Sequence, residues 1–269
     1  MTDYRTELTA AREAAARASD LLRREYESFV AIPDAPVTIS THADKASQEL
    51  ILGFLHDLFP TDALCAEEST PAFDALPKSG RRAWVVDPID GTRGFAKKVG
   101  QFSVMIGFLV DGQPVVGVVA EPAQHRTTFA SIGGGCWTHT GEGAPARCAV
   151  SARGFDELVL AQSWLKTGMS PKPVKALSPV RVIETYSGGV KLAHVARGEA
   201  DVYANTYEAF ADWDICAGHL LVTEAGGTVT DLSGNPIAYQ GANFKQTRGL
   251  IASNGAIHAE AVRRLAVLG

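Results

Sequence analysis

Ala83-Trp84-Val85-Val86-Asp87-Pro88-Ile89-Asp90-Gly91-Thr92 is the stretch from which the rest of the chain can be read. Its first four residues are apolar and stop at an Asp-Pro step, the pattern of a short buried strand. The rigid Asp-Pro step then delivers two carboxylates, Asp87 and Asp90, to that strand's C-terminal edge. Close carboxylates repel and raise one pKa unless a cation neutralises them, and a hard divalent ion such as Mg²⁺ suits the oxygen donors. A solvated Asx-type turn is the alternative for so short a string. Gly91-Thr92-Arg93-Gly94 adds a glycine-flanked turn whose free amides can hold a phosphate, and Thr92 brings a hydroxyl able to orient a water.

Working outward, Leu8, Ala11, Ala15, Ala18, Leu22, Tyr26 and Phe29 recur at helical spacing and predict a long amphipathic helix. A second helix starts near Asp44, with Ser47, Leu50, Ile51, Phe54, Leu55 and Leu58 on one stripe, and stops before Pro60. Leu64-Cys65-Ala66 is a short apolar step. Phe102 to Val110, the Asp111-Gly112 turn and Val115 to Ala120 read as a hairpin, and Thr127 to Ile132 as a further strand. Downstream of about Ala149 the pattern alternates. Leu158 to Ala161, Asp201 to Tyr203 and Gly227 to Asp231 are strand-like; Gly189 to Arg197, Trp213 to Ala225 and His258 to Leu268 are helical; Ser170 to Pro173 reads as an exposed loop. The chain therefore divides into an N-terminal α+β lobe, residues 1–148, with an antiparallel sheet and most of the acids, and a C-terminal α/β lobe, residues 149–269.

With 269 residues and 46% hydrophobic composition the chain has ample material for a core, which excludes disorder. Thirty acids against 25 bases, a net charge of −5, give no footprint for a nucleic-acid polymer or an anionic membrane. The opening MTDYRTELTA lacks an apolar run, and no stretch approaches the roughly 18 apolar residues of a membrane span, so a soluble, cytoplasmic protein is expected. Cys65, Cys136, Cys148 and Cys216 are scattered without metal-ligand spacing and read as buried free thiols.

Other acids are ambiguous by themselves. Adjacent Glu67 and Glu68 point in different directions, so only one can readily enter a site. Asp214 and Asp44 each stand where a carboxylate favours a helix N-terminus.

Taken in order, Ala66-Glu67-Glu68-Ser69, Asp87 to Thr92, Trp213 to Gly218, Glu224 to Gly227 and Ser253-Asn254-Gly255 resemble the inositol monophosphatase superfamily of Mg²⁺-dependent, lithium-sensitive phosphatases. The resemblance implies a layered α-β-α-β-α sandwich of the inositol monophosphatase and fructose-bisphosphatase type, usually a homodimer. It makes Glu68 the metal-bridging glutamate, Asp87, Asp90 and Asp214 ligands, with the Ile89 carbonyl beside them, for two or three Mg²⁺. It makes Gly91 and Thr92 the phosphate-holding pair, Thr92 with Glu68 the group that activates water, and Asp44 the support behind the threonine. In-line displacement at phosphorus follows.

For the substrate, with specificity expected from the segment that opens at the Gly188 turn, Gly189-Val190-Lys191-Leu192 resembles the 3′(2′),5′-bisphosphate nucleotidase branch, where a lysine at the place of Lys191 meets a second phosphate, although Gly188 stands where that branch commonly has serine; 3′-phosphoadenosine 5′-phosphate is the expected ester. Inositol 1-phosphate, read from Tyr207 or Glu208 at the place of a sugar-binding glutamate, and histidinol phosphate are the alternatives. A non-catalytic binding or regulatory protein on the same scaffold is the reading of another class.

Overall fold

The alternation in Ala83-Trp84-Val85-Val86 is two-faced: Ala83 and Val85 join one apolar cluster and Trp84 and Val86 another. A strand buried on both sides belongs inside a layered fold, and the computed structural model, which describes residues 3–164, 171–207 and 210–267, places it there. The first sheet runs in sequence order: β1 (Ala63–Ala66), β2 (Arg82–Asp90), β3 (Ser103–Val110), β4 (Gln113–Glu121), β5 (Arg126–Ser131), β6 (Gly135–Thr140) and β7 (Ala146–Arg147). All its pairs are antiparallel except β1 with β2, which is parallel, so the expectation of a purely antiparallel first sheet needs that correction. The exception matters because it aligns the C-terminal ends of β1 and β2.

Helices α1 (Arg5–Ser28) and α2 (His42–Leu58) cover one face of this sheet. The alanine stripe Ala11, Ala14, Ala15 and Ala18 lets α1 lie close to it, while Ile51, Leu52 and Leu55 of α2 meet Trp84 and Val86. A five-residue helix, α3 (Thr92–Ala96), follows β2 directly. The second sheet has the order β12-β14-β10-β8-β9, built from β8 (Val159–Gln162), β9 (Arg181–Glu184), β10 (Val202–Asn205), β12 (Thr228–Thr230) and β14 (Leu250–Ser253); β11 (Phe210–Ala211) and β13 (Lys245–Gln246) form a separate pair. Between the two sheets lie α5 (Gly188–Ala196) and α6 (Cys216–Glu224), and the outer face carries α4 (Lys172–Leu177) and α7 (His258–Ala266). The layers are thus α-β-α-β-α.

Two local expectations change. Lys172 opens α4 instead of extending a loop, because proline at a helix's first turn loses no hydrogen bond the helix could have made. The segment from Trp213 to Ala225 is a 3₁₀ turn, Asp212–Asp214, followed by α6, so Asp214 precedes the helix. All four cysteines are buried and unpaired.

Glycine at two sheet positions seats α6. A Cβ at Gly117 would lie 2.4 Å from the Ala217 carbonyl oxygen, and one at Gly107 2.5 Å from Cys216 Sγ. Gly117→Ala should therefore force backbone apart and cost about 1–3 kcal/mol, read as a lower urea midpoint at unchanged slope. An unaltered midpoint would mean that α6 is not held so closely.

Candidate active site

Three features build one acidic cradle. First, the parallel register pairs Cys65 with Val85 and Ala66 with Val86, so the next positions, Glu67 and Asp87, come side by side. Since Cys65 and Val85 face α5 and α6, the residues two further on face the same way. Second, Asp87 pairs with Met105 but Asp90 with Ser103, which leaves one extra residue on β2. That bulge, at a proline unable to serve a regular ladder, brings two carboxylates three residues apart onto one side. Third, the 3₁₀ turn before α6 aims Asp214 at the same point, its Oδ2 accepting the Ala211 N–H at 2.5 Å. One oxygen from each of Asp87, Asp90 and Asp214 lies within 4.8 Å of the others.

Such proximity is unstable without compensation. At an effective dielectric of about 20, ionised carboxylates at this separation repel by roughly 3 kcal/mol per pair. Asp87 titrates well above the usual carboxylate range because it is buried and because Glu67, Asp90 and Asp214 surround it. Glu67 opens onto the cavity, yet protein atoms exclude enough water, with Asp214 adding repulsion, to push it up to about 8. Loss of water likewise raises Asp214 to about 7, against the Ala211 N–H, which favours its ionised form. An all-oxygen donor set that repels itself fits a hard divalent cation.

The linkage has a definite sign. The folded carboxyls keep protons that unfolded ones lose near pH 4, so in chelator-treated protein stability falls as the pH rises from about 4 through 7 and 8. Below that window their contribution is fully present. Melting temperature should therefore be lower at about pH 8 than at about pH 5 without divalent metal, and Mg²⁺ at matched ionic strength should abolish the fall. A pH-independent melting temperature with chelator present would contradict the repulsion.

Glu68 takes no part in the cradle. It occupies the opposite side of the chain, where its Oε1 accepts from Ser40 Oγ at 2.6 Å and its backbone is clamped by Gln48 of α2, which accepts its N–H at 2.8 Å and donates to its carbonyl at 2.6 Å. The expectation that Glu68 bridges metals is thus corrected by strand parity: Glu67 faces Asp87. The signal was in the sequence, since Cys65-Ala66-Glu67 and Val85-Val86-Asp87 alternate in step.

Behind the cradle, Thr92 Oγ1 lies 2.9 Å from both Asp44 Oδ1 and the Ile89 carbonyl oxygen, either of which can accept its proton. The other Asp44 oxygen accepts from Thr41 N at 2.8 Å and Thr41 Oγ1 at 2.7 Å, so Asp44 serves as helix cap and threonine support at once. Gly91 needs to be glycine: its φ is 84°, and an added Cβ would meet the Gln101 carbonyl at 2.9 Å. Asp90 ties the cradle to α5. Its Oδ1 accepts from Gly188 N at 3.1 Å and its Oδ2 from Gly189 N at 2.7 Å and from Ser187 Oγ.

A cavity of about 520 Å³ opens over these groups, lined among others by Glu67, Asp87, Asp90, Thr92, Asp214, Gly188, Lys191 and Tyr207. Gly189 is committed to Asp90 and packed against Met105 and Ser103, which corrects its reading as a substrate contact. Lys191 is neither a solvated helix lysine nor a free hand. It is 2% exposed, and its Nζ donates to Ser163 Oγ at 2.9 Å and the Thr185 carbonyl at 3.3 Å. Burial lowers its pKa to about 8, opposed by Asp90 and Asp214. Tyr207 is exposed at the rim, and Glu208 lies outside the described residues. Tyr186, Tyr203 and Lys245, not singled out by sequence, also line the cavity, as does Trp164, which the sequence alone reads as a core or rim residue.

A layered fold with a carboxylate cradle at its strand ends suits metal-assisted chemistry, and comparison with known proteins makes the chain a phosphoric monoester hydrolase. Residues 3–267 match the profile of the Inositol monophosphatase family, to which the chain belongs. It is 31% identical over 229 residues to the fructose-1,6-bisphosphatase/inositol-1-monophosphatase of Thermotoga maritima, covering 84% of this chain and 81% of that protein. It is 30% identical over 268 residues to the histidinol-phosphatase of Mycobacterium tuberculosis, covering 96% and 97%. The structure of inositol monophosphatase from Anabaena superposes with a TM-score of 0.80 at 28% identity, over 100% of this chain and 98% of that one. No helix among the described residues is long and apolar enough to cross a membrane.

Proposed function

We propose that this phosphatase is Mg²⁺-dependent and acts on a 3′(2′),5′-bisphosphate nucleotide such as 3′-phosphoadenosine 5′-phosphate. Glu67, Asp87, Asp90, Asp214 and the Ile89 carbonyl would hold the metal. Bound Mg²⁺ supplies Lewis-acid stabilisation of the phosphoryl oxygens and lowers the pKa of water. The chain does the positioning. Thr92 donates its hydroxyl hydrogen bond to Asp44 or the Ile89 carbonyl and keeps its proton, leaving oxygen lone pairs to accept from and orient the attacking water, while the Gly91 and Thr92 amides hold the phosphate. Glu67, replacing Glu68 in this role, takes part in activating the water.

The observation carrying the nucleotide reading is the composition of the cavity wall. Beyond the cradle it presents Arg93 and Lys245 together with Trp164, Tyr186 and Tyr207, while the Lys191 ammonium is held within the wall by Ser163 and Thr185. Cations and aromatic faces suit a leaving alcohol that bears further negative charge and a flat ring. Histidinol, itself cationic, finds no acid among the described lining residues outside the cradle. Rates for 3′-phosphoadenosine 5′-phosphate, inositol 1-phosphate and histidinol phosphate, compared at fixed Mg²⁺, test it. The nucleotide should show the highest kcat/KM, and an inositol or histidinol ester ahead of it by about tenfold, or 1.4 kcal/mol, would move the assignment to that ester.

A further inference from the structure

Of the four tryptophans, Trp84 is in the core and Trp137 and Trp213 pack against it, whereas Trp164 joins none of the three apolar clusters of the described residues. It is 47% exposed and lines the same cavity as Asp87, Asp90 and Asp214. It is nevertheless fixed. Its Nε1–H donates to Gln101 Oε1 at 2.6 Å, and Gln101 Nε2 donates in turn to the Glu184 carbonyl at 3.3 Å. An indole anchored by its polar edge and serving no core leaves its apolar surface available to a guest.

The surroundings suit that guest. The Tyr186 ring lies 6.3 Å from Trp164, inclined by 31°, and Arg93 stands 5.7 Å over the Tyr186 ring. The residue before Trp164, Ser163, holds Lys191 Nζ, which also donates to the Tyr186 carbonyl at 3.4 Å. Aromatic surface and buried cation are therefore one connected unit beside the cradle.

We propose that Trp164, backed by Tyr186, is a specificity-determining residue: the platform on which the aromatic ring of the leaving alcohol stacks while its phosphate occupies the acidic cradle. This rests on the reading of the substrate as a nucleotide. Stacking holds the ring equally before and at the transition state, so its contribution falls on KM more than on kcat.

The test uses a matched pair of esters in Mg²⁺, 3′-phosphoadenosine 5′-phosphate and the same sugar bisphosphate lacking the base. The unmodified enzyme should favour the base-bearing ester by about tenfold in kcat/KM, mainly through KM. Trp164→Ala should bring that ratio near one, and Trp164→Phe should keep most of it. Adenosine 5′-phosphate should quench tryptophan fluorescence in the unmodified protein, and most of that quenching should be lost in Trp164→Phe, where Trp213 is left in the cavity wall. A base preference that survives in Trp164→Ala, or quenching undiminished in Trp164→Phe, overturns the platform. Hydrolysis of both esters without preference also overturns it while leaving the phosphatase reading intact. If neither ester is hydrolysed it is the proposed substrate that fails, and the quenching experiment alone then decides the platform, for or against.

Discussion

Asp87→Asn is expected to lower Mg²⁺-stimulated phosphate release by about a thousandfold, on the scale of a single desolvated electrostatic contact in a transition state, and at the same time to raise the melting temperature of the metal-free protein. The two effects have one cause. Asp87 is 1% exposed and crowded by Glu67, Asp90 and Asp214, so its charge is unfavourable until a cation arrives. Asparagine is nearly isosteric. It keeps an oxygen to accept the Ile89 N–H, which Asp87 Oδ1 accepts at 3.1 Å, and its amide hydrogens face carboxylates able to receive them. The fold thus loses a repulsion and no contact, while a metal ligand loses its charge. For a chain of this size each kcal/mol relieved should appear as about 2–4 °C. Calorimetry with chelator and with Mg²⁺, alongside phosphate release, separates the terms. Full activity would remove Asp87 from the metal set, and a lower metal-free melting temperature would show the cradle is not strained. Asp90→Asn is a less clean experiment, because both Asp90 oxygens are engaged by the Gly188 and Gly189 amides and an amide group there would face donors.

What was legible in the sequence follows from the range of the forces involved. Helices with a wide apolar stripe, such as α1 and α2, announce themselves because burial is periodic along the chain itself. So do the hairpin from β3 to β4 and the alternation after residue 149. Less visible were features fixed by a neighbour. The apolar reading of β2 stopped at Val86, yet the strand runs to Asp90, since the bulge at Pro88 is set by pairing with β3. Nothing in its own segment tells that Lys191 is buried. Its burial comes from Ser163 and Thr185, which are distant or outside its helix. Asp87 and Asp90 stood out in their own segment and Asp214 through the resemblance, and the three converge. The choice between Glu67 and Glu68 was a question of which face each presents, and motif order alone could not decide it.

That choice leads to the other large effect. Glu67→Gln is expected to cost at least about a hundredfold in Mg²⁺-dependent turnover and to raise the Mg²⁺ concentration needed for half activity, whereas Glu68→Gln should cost less than about tenfold. The asymmetry follows from the parallel pairing of β1 with β2. Ala66 lies opposite Val86, and the Glu67 N–H continues the pairing by donating to the Val86 carbonyl at 3.3 Å, so Glu67 must share a face with Asp87 and Glu68 must not. A glutamine at position 68 still accepts from Ser40, and Gln48 grips only the backbone there, so little changes. At position 67 the same change removes a charge from the cavity where the phosphate must be met. Comparing Mg²⁺ activation curves of the two variants, rather than single rates, shows whether the loss lies in holding the metal. If Glu68→Gln were the inactive one, β1 would have to slip by one residue against β2. That slip would turn Cys65, now buried with Val85 between the sheet and α6, toward α1 and α2, and would exchange every side chain of the strand between the two cores. The kinetic result on two adjacent glutamates is therefore also a measurement of strand register.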